Sequence, residues 1–313
     1  MQEILSDIDS IGKDPALYQE KNFILRTEAI DHIEFHFIDR IDALMEKTDQ
    51  ADQLRDLKLY AEKTKHLLEE VNARMFHRLR VEISQGSHRG ADLIKLMGEY
   101  LDHNLHGFLR QNTHDYDNLD IFLNGLLSNQ LLPAETKERD SGMVFYQKTP
   151  VRIVLEFIKR ADFKSQDIFF DLGSGLGQVT LLVNLFSSVV SKGVEFEPAF
   201  CNYANACAAE LNLDQVEFIN TDARSADYST GTVFFMYTPF EGKMFQDVLH
   251  ILRREAQNRK IRIFTYGPCT PELAKLEWLR KKLIKKDYAG MFGEFVSDTE
   301  MATTIVDPAT AVL

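Results

Sequence analysis

Cysteine is scarce in this sequence: three in 313 residues, Cys201, Cys207 and Cys269. The number is odd and no C-x-x-C occurs, which excludes a disulfide framework and a cysteine zinc site and leaves three small buried apolar side chains. Long apolar runs are also missing. The most apolar stretch, Val179 to Val190, is interrupted by Asn184, Ser187 and Ser188 and is shorter than the roughly 20 residues a bilayer requires. The opening MQEILSDIDS is acidic and lacks a basic-then-apolar leader, so the expectation is an unanchored, cytoplasmic protein. Positive charge is in deficit, with 36 Lys and Arg against 48 Asp and Glu and a net charge of −12. Such a surface is repelled by phosphates, which makes duplex nucleic acid an unlikely partner. Apolar residues, by contrast, make up 44% and charged residues 27%, a globular balance that excludes general disorder.

The two halves differ in character. Residues 1–140 hold 17 Lys and Arg against 27 Asp and Glu, a net −10, which leaves −2 for the rest. Ile30, Ile33, Phe37, Ile41 and Leu44 follow helical spacing, as do Leu54, Leu57, Ala61, Leu68, Val71 and Met75. With Thr48-Asp49-Gln50 as a polar turn, they predict two long helices packed as an antiparallel pair. Gly86 to Gly90 breaks the second helix, and shorter helices follow near 91–102 and 117–128. The polar stretch 133–142 reads as a linker between a helical domain, 1–132, and a second domain, 143–313.

The second domain alternates strands and helices. Strand cores fall at 168–170, 193–196, 216–219, 233–236 and 261–264, with helices at 177–187, 198–211 and 241–257. This alternation predicts an α/β fold, a Rossmann-like, doubly wound, mostly parallel sheet preceded by an all-α domain. Thr149-Pro150 suggests the cap and first residue of a helix running to about Arg160. The tail from Asp287 offers 292–296 and 303–306 as last strands.

The informative segment is Asp171-Leu172-Gly173-Ser174-Gly175-Leu176-Gly177-Gln178, which closes an apolar strand and opens a helix. Glycines there let a ligand approach the backbone, and the helix start supplies unpaired N–H groups. The spacing is G-x-G-x-G rather than the G-x-G-x-x-G of a dinucleotide site, and no Walker lysine follows. An acid at the strand end would repel a pyrophosphate but suits a ligand with an ammonium group. S-adenosylmethionine has one. Glu195, ending the second strand, is placed to accept hydrogen bonds from ribose hydroxyls; Glu197 competes for that role but precedes Pro198 and reads as part of the turn. Asp222 and Ala223 follow the third strand, where a carboxylate can meet the adenine amino group.

These residues resemble those of class I S-adenosylmethionine-dependent methyltransferases, over roughly 140–290. Within that superfamily D-L-G-S-G-L-G-Q is similar to the histone lysine methyltransferases that lack a SET domain, as is Tyr146-Gln147-Lys148-Thr149 to their Y-x-x-T loop. The resemblance implies cofactor contacts from Tyr146, Thr149, Asp171, Gly173, Ser174, Gly175, Gly177, Gln178, Glu195, Asp222 and Ala223, with Tyr146 and Thr149 over the methionine part. It also implies that Tyr237-Thr238-Pro239-Phe240 after the fourth strand faces the acceptor. Related amine methyltransferases carry an amide in this turn, and here it is missing. Tyr237, Thr238 and Phe240 therefore either position a nitrogen or oxygen acceptor, protein or small molecule, or only shape the pocket of a non-catalytic cofactor-binding module.

Other constellations are weaker. His32 with His36, and His103 with His106, sit at helical spacing without an H-E-x-x-H or E-x-x-H pattern, so no metal site is expected. His250 reads as a packing or surface residue. The basic clusters Arg253-Arg254 with Arg259, Lys260 and Arg262, and Arg280-Lys281-Lys282 with Lys285 and Lys286, read as helix C-termini favoured by the dipole or as contacts for an acidic partner or RNA.

Overall fold

The computed structural model describes residues 2–47, 51–101, 117–128, 130–286 and 290–304. The predicted turn Thr48–Gln50, the pair His103 and His106, and residues 305–306 of the predicted last strand lie outside them. The chain divides into two compact units, Met1–Glu82 with Ile94–Leu109, and Ile83–Leu93 with Arg110–Leu313.

The first unit is helical. A helix over Phe23–His32 continues through a π-helical segment, Ile33–Ile38, into Asp39–Met45. The wider π turn shifts the helical phase, so Phe37 and its neighbour Ile38 are both buried beside Ile33 and Ile41. The predicted stripe thins at its end, where Leu44 is exposed. The helix Ala51–Ser84 buries all six of its predicted apolar positions. Lys58 bonds Asp42 at 2.7 Å and Lys65 bonds Glu34 at 2.5 Å. Partner numbers fall as residue numbers rise, which makes the two helices antiparallel. At the unit's centre the Arg26 side chain is fully buried. It donates to Asn72 Oδ1 (2.7 Å) and to the carbonyls of Leu17, Gln19 and Glu20. His32 and His36 stack with ring centroids 4.7 Å apart.

The second unit is built on a seven-stranded sheet: β1 Ile168–Leu172, β2 Val190–Glu195, β3 Val216–Asn220, β4 Val233–Tyr237, β5 Arg262–Tyr266, β6 Leu279–Lys286 and β7 Met291–Ser297. Their order is β3-β2-β1-β4-β5-β7-β6. The first five are parallel, and β7 runs antiparallel to both β5 and β6. Chain order reverses between β1 and β4, and a ligand crevice belongs at the C-terminal ends of these strands. The core is dense in phenylalanine. Phe157, on the helix Val151–Ala161, stacks 4.9 Å from Phe235 and from Phe264 and 5.4 Å from Phe169. The three cysteines are buried and free.

Three expectations change. Arg280 to Lys286 is not a helix C-terminus but an edge strand. Residues 299–304 form a helix rather than a strand. Thr149 is not the cap of the next helix: Pro150 holds the cap position without a side-chain bond, and the Asp120 carboxylate accepts the Val151 N–H at 2.9 Å instead. That bond, the ion pair of Asp117 with Arg152, and a 3.0 Å bond from Gln178 Nε2 to Asn124 Oδ1 tie the helix Asn118–Leu127 into the second unit, so this unit begins before residue 133. Among the described residues no helix is long and apolar enough to cross a membrane.

Candidate active site

A cavity of about 400 Å³ opens at the switch between β1 and β4, a volume typical of small-molecule sites. Its wall holds Tyr146, Thr149, Asp171, Gly173, Ser174, Gln178, Glu195, Ala223, Tyr237, Thr238 and Phe240. Gly175, Gly177 and Asp222 are not in that wall.

The glycine turn explains two of these absences. The Gly175 backbone has φ +53°, and a side-chain carbon there would run into the Tyr146 ring. Its N–H donates to Glu195 Oε2 at 2.8 Å. Gly175 therefore lets Tyr146 close down on the turn while the turn itself is fastened to the end of β2. Gly177 lies beneath the turn, against Phe218 and Ala204, where it permits the following helix to pack on the sheet.

Two acids dominate the site's electrostatics, Asp171 buried and Glu195 half-buried. Asp171 is fully enclosed and accepts one bond, from Thr180 Oγ1 at 3.1 Å. Burial, reinforced by the nearby Glu195 charge, pushes its carboxyl up to about 7 against the one opposing hydrogen bond. Burial also raises Glu195, although its carboxylate accepts the Gly175 and Glu197 N–H groups, each at 2.8 Å. No Lys or Arg of the described residues pairs with either. Asp222 differs. Arg224 binds both of its oxygens, at 2.6 to 3.2 Å, and reaches on to Asp140. That bond to Arg224, chiefly, holds the Asp222 carboxyl below its ordinary range. The acid predicted to meet adenine is thus already engaged by a cation, and its neighbours Thr221 and Ala223 line the cavity in its place.

Glu197 is a structural clamp. It caps the helix Pro198–Glu210 through the Ala199 N–H and accepts the Thr136 N–H, Thr136 Oγ1 and Lys137 N–H. Burial opposes its charge, but these four bonds outweigh that and pull the carboxyl down to about 2. The bonds reveal a feature that polarity alone conceals. The predicted linker is a strap fastened at both ends, by Glu197 near Thr136 and by the β4 turn beyond Gly142. At the second end the Val144 N–H donates to Pro239 O (3.2 Å) and the Glu241 N–H to Gly142 O (2.7 Å). Glu135, Lys137, Arg139, Met143, Val144 and Phe145 consequently join the cavity wall. The apolar run Met143-Val144-Phe145 is the one sequence signal that could have marked them.

In the turn after β4 the fold itself engages one hydroxyl. Thr238 has φ +39°. Its hydroxyl donates to Tyr266 O at 3.1 Å and accepts the Cys269 N–H at 3.2 Å, so it fastens β4 to β5. Tyr237 remains half-exposed against Tyr266, with ring centroids 4.9 Å apart, and Phe240 is buried in a bridge to Met143. His250 is exposed on its helix.

Two buried polar atoms in the site lack partners, Ser174 Oγ and Gln178 Oε1. Orphaned buried polar atoms cost stability unless a ligand or water meets them. Together with two carboxyls that no Lys or Arg of the described residues pairs, they suit a ligand that is both cationic and rich in hydrogen-bonding groups, which describes S-adenosylmethionine.

The strand order and the cavity at its switch point are similar to those of class I S-adenosylmethionine-dependent methyltransferases. Residues 138–234 match the model of the family described as histone methylation protein DOT1, and S-adenosylmethionine is that family's cofactor. Among solved structures, an RNA methyltransferase from Salinibacter ruber in complex with S-adenosyl-L-homocysteine is 20% identical, with a TM-score of 0.42 over 52% of this chain and 97% of that one. A ribosomal protein L11 methylase from Lactobacillus delbrueckii subsp. bulgaricus is 14% identical, with a TM-score of 0.38 over 47% and 77%. A SAM-dependent methyltransferase from Aquifex aeolicus is 16% identical, with a TM-score of 0.34 over 46% and 88%. Comparison with curated proteins gives no match.

Proposed function

We propose that the protein transfers a methyl group from S-adenosylmethionine to a nitrogen or oxygen of a protein acceptor. The observation that carries this reading is the pairing, in one cavity, of two carboxyls at the ends of β1 and β2, neither paired with a Lys or Arg of the described residues, with the aromatic turn after β4. The cofactor supplies a methyl on a sulfonium, already a good leaving group. The chain's own residues then have mainly to bind and align. Asp171 holds the ammonium group and Glu195 accepts from the ribose hydroxyls. Ser174 and Gln178 gain the partners they lack, and Thr149 and Tyr146 cover the methionine end. Tyr237 and Phe240 shape the wall through which the acceptor enters and exclude water around it. The family's description, histone methylation, favours a protein over a small molecule.

A second reading is a cofactor-binding module without catalysis. It is favoured by the engagement of the Thr238 hydroxyl between β4 and β5, which leaves the turn without the amide that orients an amine in related enzymes. Incubation with cofactor labelled on its methyl, and fractionation of lysate into protein, RNA and small molecules, separates the two. Label in protein that disappears with Asp171→Ala supports the enzyme. Tight binding of S-adenosylhomocysteine with no label in any fraction supports the module.

A further inference from the structure

The second basic cluster of the sequence lies on β6, at the open edge of the sheet. Arg280, Lys281, Lys282, Lys285 and Lys286 are all exposed, and none forms an ion pair among the described residues. Among the described residues, the outer side of β6 presents backbone N–H and C=O groups with no neighbouring strand, on either side of a register shift between Lys281 and Leu283. A lysine or two on such an edge is ordinary protection against self-pairing. Five cations in eight residues do more, because an edge that repels its own copy attracts a strand of opposite charge. The position is also informative. Both β5 and β6 run antiparallel to β7, so the Lys286 end of β6 lies at the same rim as the cavity. Tyr237 is in register with Tyr266, Tyr266 with Phe292, and Phe292 with Lys285. Three strand spacings, about 14 Å, separate Lys285 from Tyr237 along that rim, a distance that about four extended residues cover.

We infer that β6 docks an acidic, extended segment of the protein acceptor as an added antiparallel or parallel strand, a few residues from the side chain presented to the cavity. The inference rests on the methyltransferase reading for the identity of the partner, but not for the binding itself. A peptide uses both features of the edge. Its backbone pairs with the free N–H and C=O groups, and its acidic side chains fall beside cations that stand on both faces of the strand, Lys281 and Lys286 on one and Arg280 and Lys285 on the other. Single-stranded RNA matches only the charge. It cannot use the backbone row, and Ile284, the exposed apolar side chain on β6, offers no aromatic surface for a base to stack on.

The test is fluorescence anisotropy with a labelled ten-residue peptide of alternating Glu and Thr on the full chain. A Glu-Pro repeat of equal length and charge and a ten-nucleotide oligouridylate serve as comparison probes. The Glu-Thr peptide binds, and the triple variant Lys281→Glu, Lys285→Glu, Lys286→Glu weakens it by about tenfold or more, as several exposed ion pairs together allow. The Glu-Pro repeat, which lacks half its N–H donors, binds at least severalfold more weakly than Glu-Thr. Titration of the triple variant with S-adenosylhomocysteine gives the wild-type affinity, which shows that the fold and cofactor site are intact. Equal binding of the Glu-Pro and Glu-Thr peptides overturns edge pairing. Tighter binding of the oligouridylate overturns the choice of a protein partner, and unchanged peptide binding by the triple variant overturns the site. Since peptide binding is read without cofactor, its failure is distinct from failure of the methyltransferase reading, which shows as loss of S-adenosylhomocysteine binding.

Discussion

Cofactor affinity should depend on pH in a way that isolates Asp171. Its carboxyl, ordinarily at 3.8, is raised to about 7 by burial and by Glu195. In the free protein a folded chain therefore keeps a proton that the unfolded chain has lost. This contribution to stability is complete below about pH 4 and declines as pH rises toward 7, by ~4 kcal/mol over the interval. An ammonium group reverses the preference, because it binds the ionised carboxylate. Apparent affinity then follows the ionised fraction, about 3% at pH 5.5 and about 75% at pH 7.5, a change of about twenty-fivefold. The ligand's own amino group, beside a free carboxylate, stays mostly protonated over this range. Isothermal titration with S-adenosylhomocysteine in buffers of different ionisation enthalpy reads both quantities. Binding should release about one proton at pH 5.5 and a few tenths at pH 7.5. Methylthioadenosine keeps the ribose but lacks the ammonium, so it reports any contribution from Glu195; the ratio of the two affinities carries the change of about twenty-fivefold. Asp171→Asn should flatten that ratio and weaken S-adenosylhomocysteine at pH 7.5 by roughly 1.5 to 3 kcal/mol. The same variant should raise the melting temperature of the free protein at pH 7.5. A ratio that varies less than twofold between the two pH values, with no proton release, refutes the assignment of Asp171 to the ammonium.

Glu197→Gln should cost about 2 kcal/mol of stability in urea unfolding, since a charged acceptor of several hydrogen bonds is lost, and should weaken S-adenosylhomocysteine severalfold as the strap loosens. Because its folded carboxyl lies at about 2 against 4.5, the stabilisation is fully present above pH 4.5 and lost as pH falls through 2, so wild type and variant should converge in acid. Gly175→Ala places a methyl group against the Tyr146 ring in a left-handed backbone; at least a tenfold loss of S-adenosylhomocysteine affinity is expected, with about 1 kcal/mol of destabilisation. Arg26→Met keeps the volume but removes the donor that Asn72 Oδ1 and the carbonyls of Leu17 and Glu20 accept from, while Gln19 O keeps the Asn22 N–H. A loss of about 3 kcal/mol in urea unfolding is expected, and a loss below 1 kcal/mol would show that the buried guanidinium contributes little.

Fold class was legible because strand and helix periods differ and because parallel strands buried on both faces read as short apolar runs. Ile168 to Leu172 and Val233 to Tyr237 are of that kind. β6 was not legible, since LRKKLIKK has no buried face to impose alternation: only Leu279 is buried and a register shift interrupts the strand between Lys281 and Leu283. The cap of the helix Val151–Ala161 was missed for another reason. Thr149 has the right chemistry in the right place, but the N–H it might have met is taken by Asp120, 31 residues earlier in the chain. The strap escaped notice because its order comes from hydrogen bonds to Glu197 and Pro239, which leave no periodic trace in its own composition.

The acids at the strand ends show where local sequence stops being informative and electrostatics takes over. Asp171, Glu195 and Asp222 lie at or just past the C-terminal ends of three consecutive strands, and position along the sequence does not separate their roles. The fold separates them by what neutralises each. Arg224, two residues on, closes over Asp222. Glu195 receives two backbone N–H groups, and Asp171 receives a single hydroxyl. A buried carboxyl with so little compensation is costly in the free protein, and that cost is what a cationic ligand removes on binding. Gradation in compensation thus predicts gradation in ligand dependence: substitution of Asp171 should change cofactor affinity most, Glu195 next and Asp222 least, while the order for destabilising the free protein should run the other way.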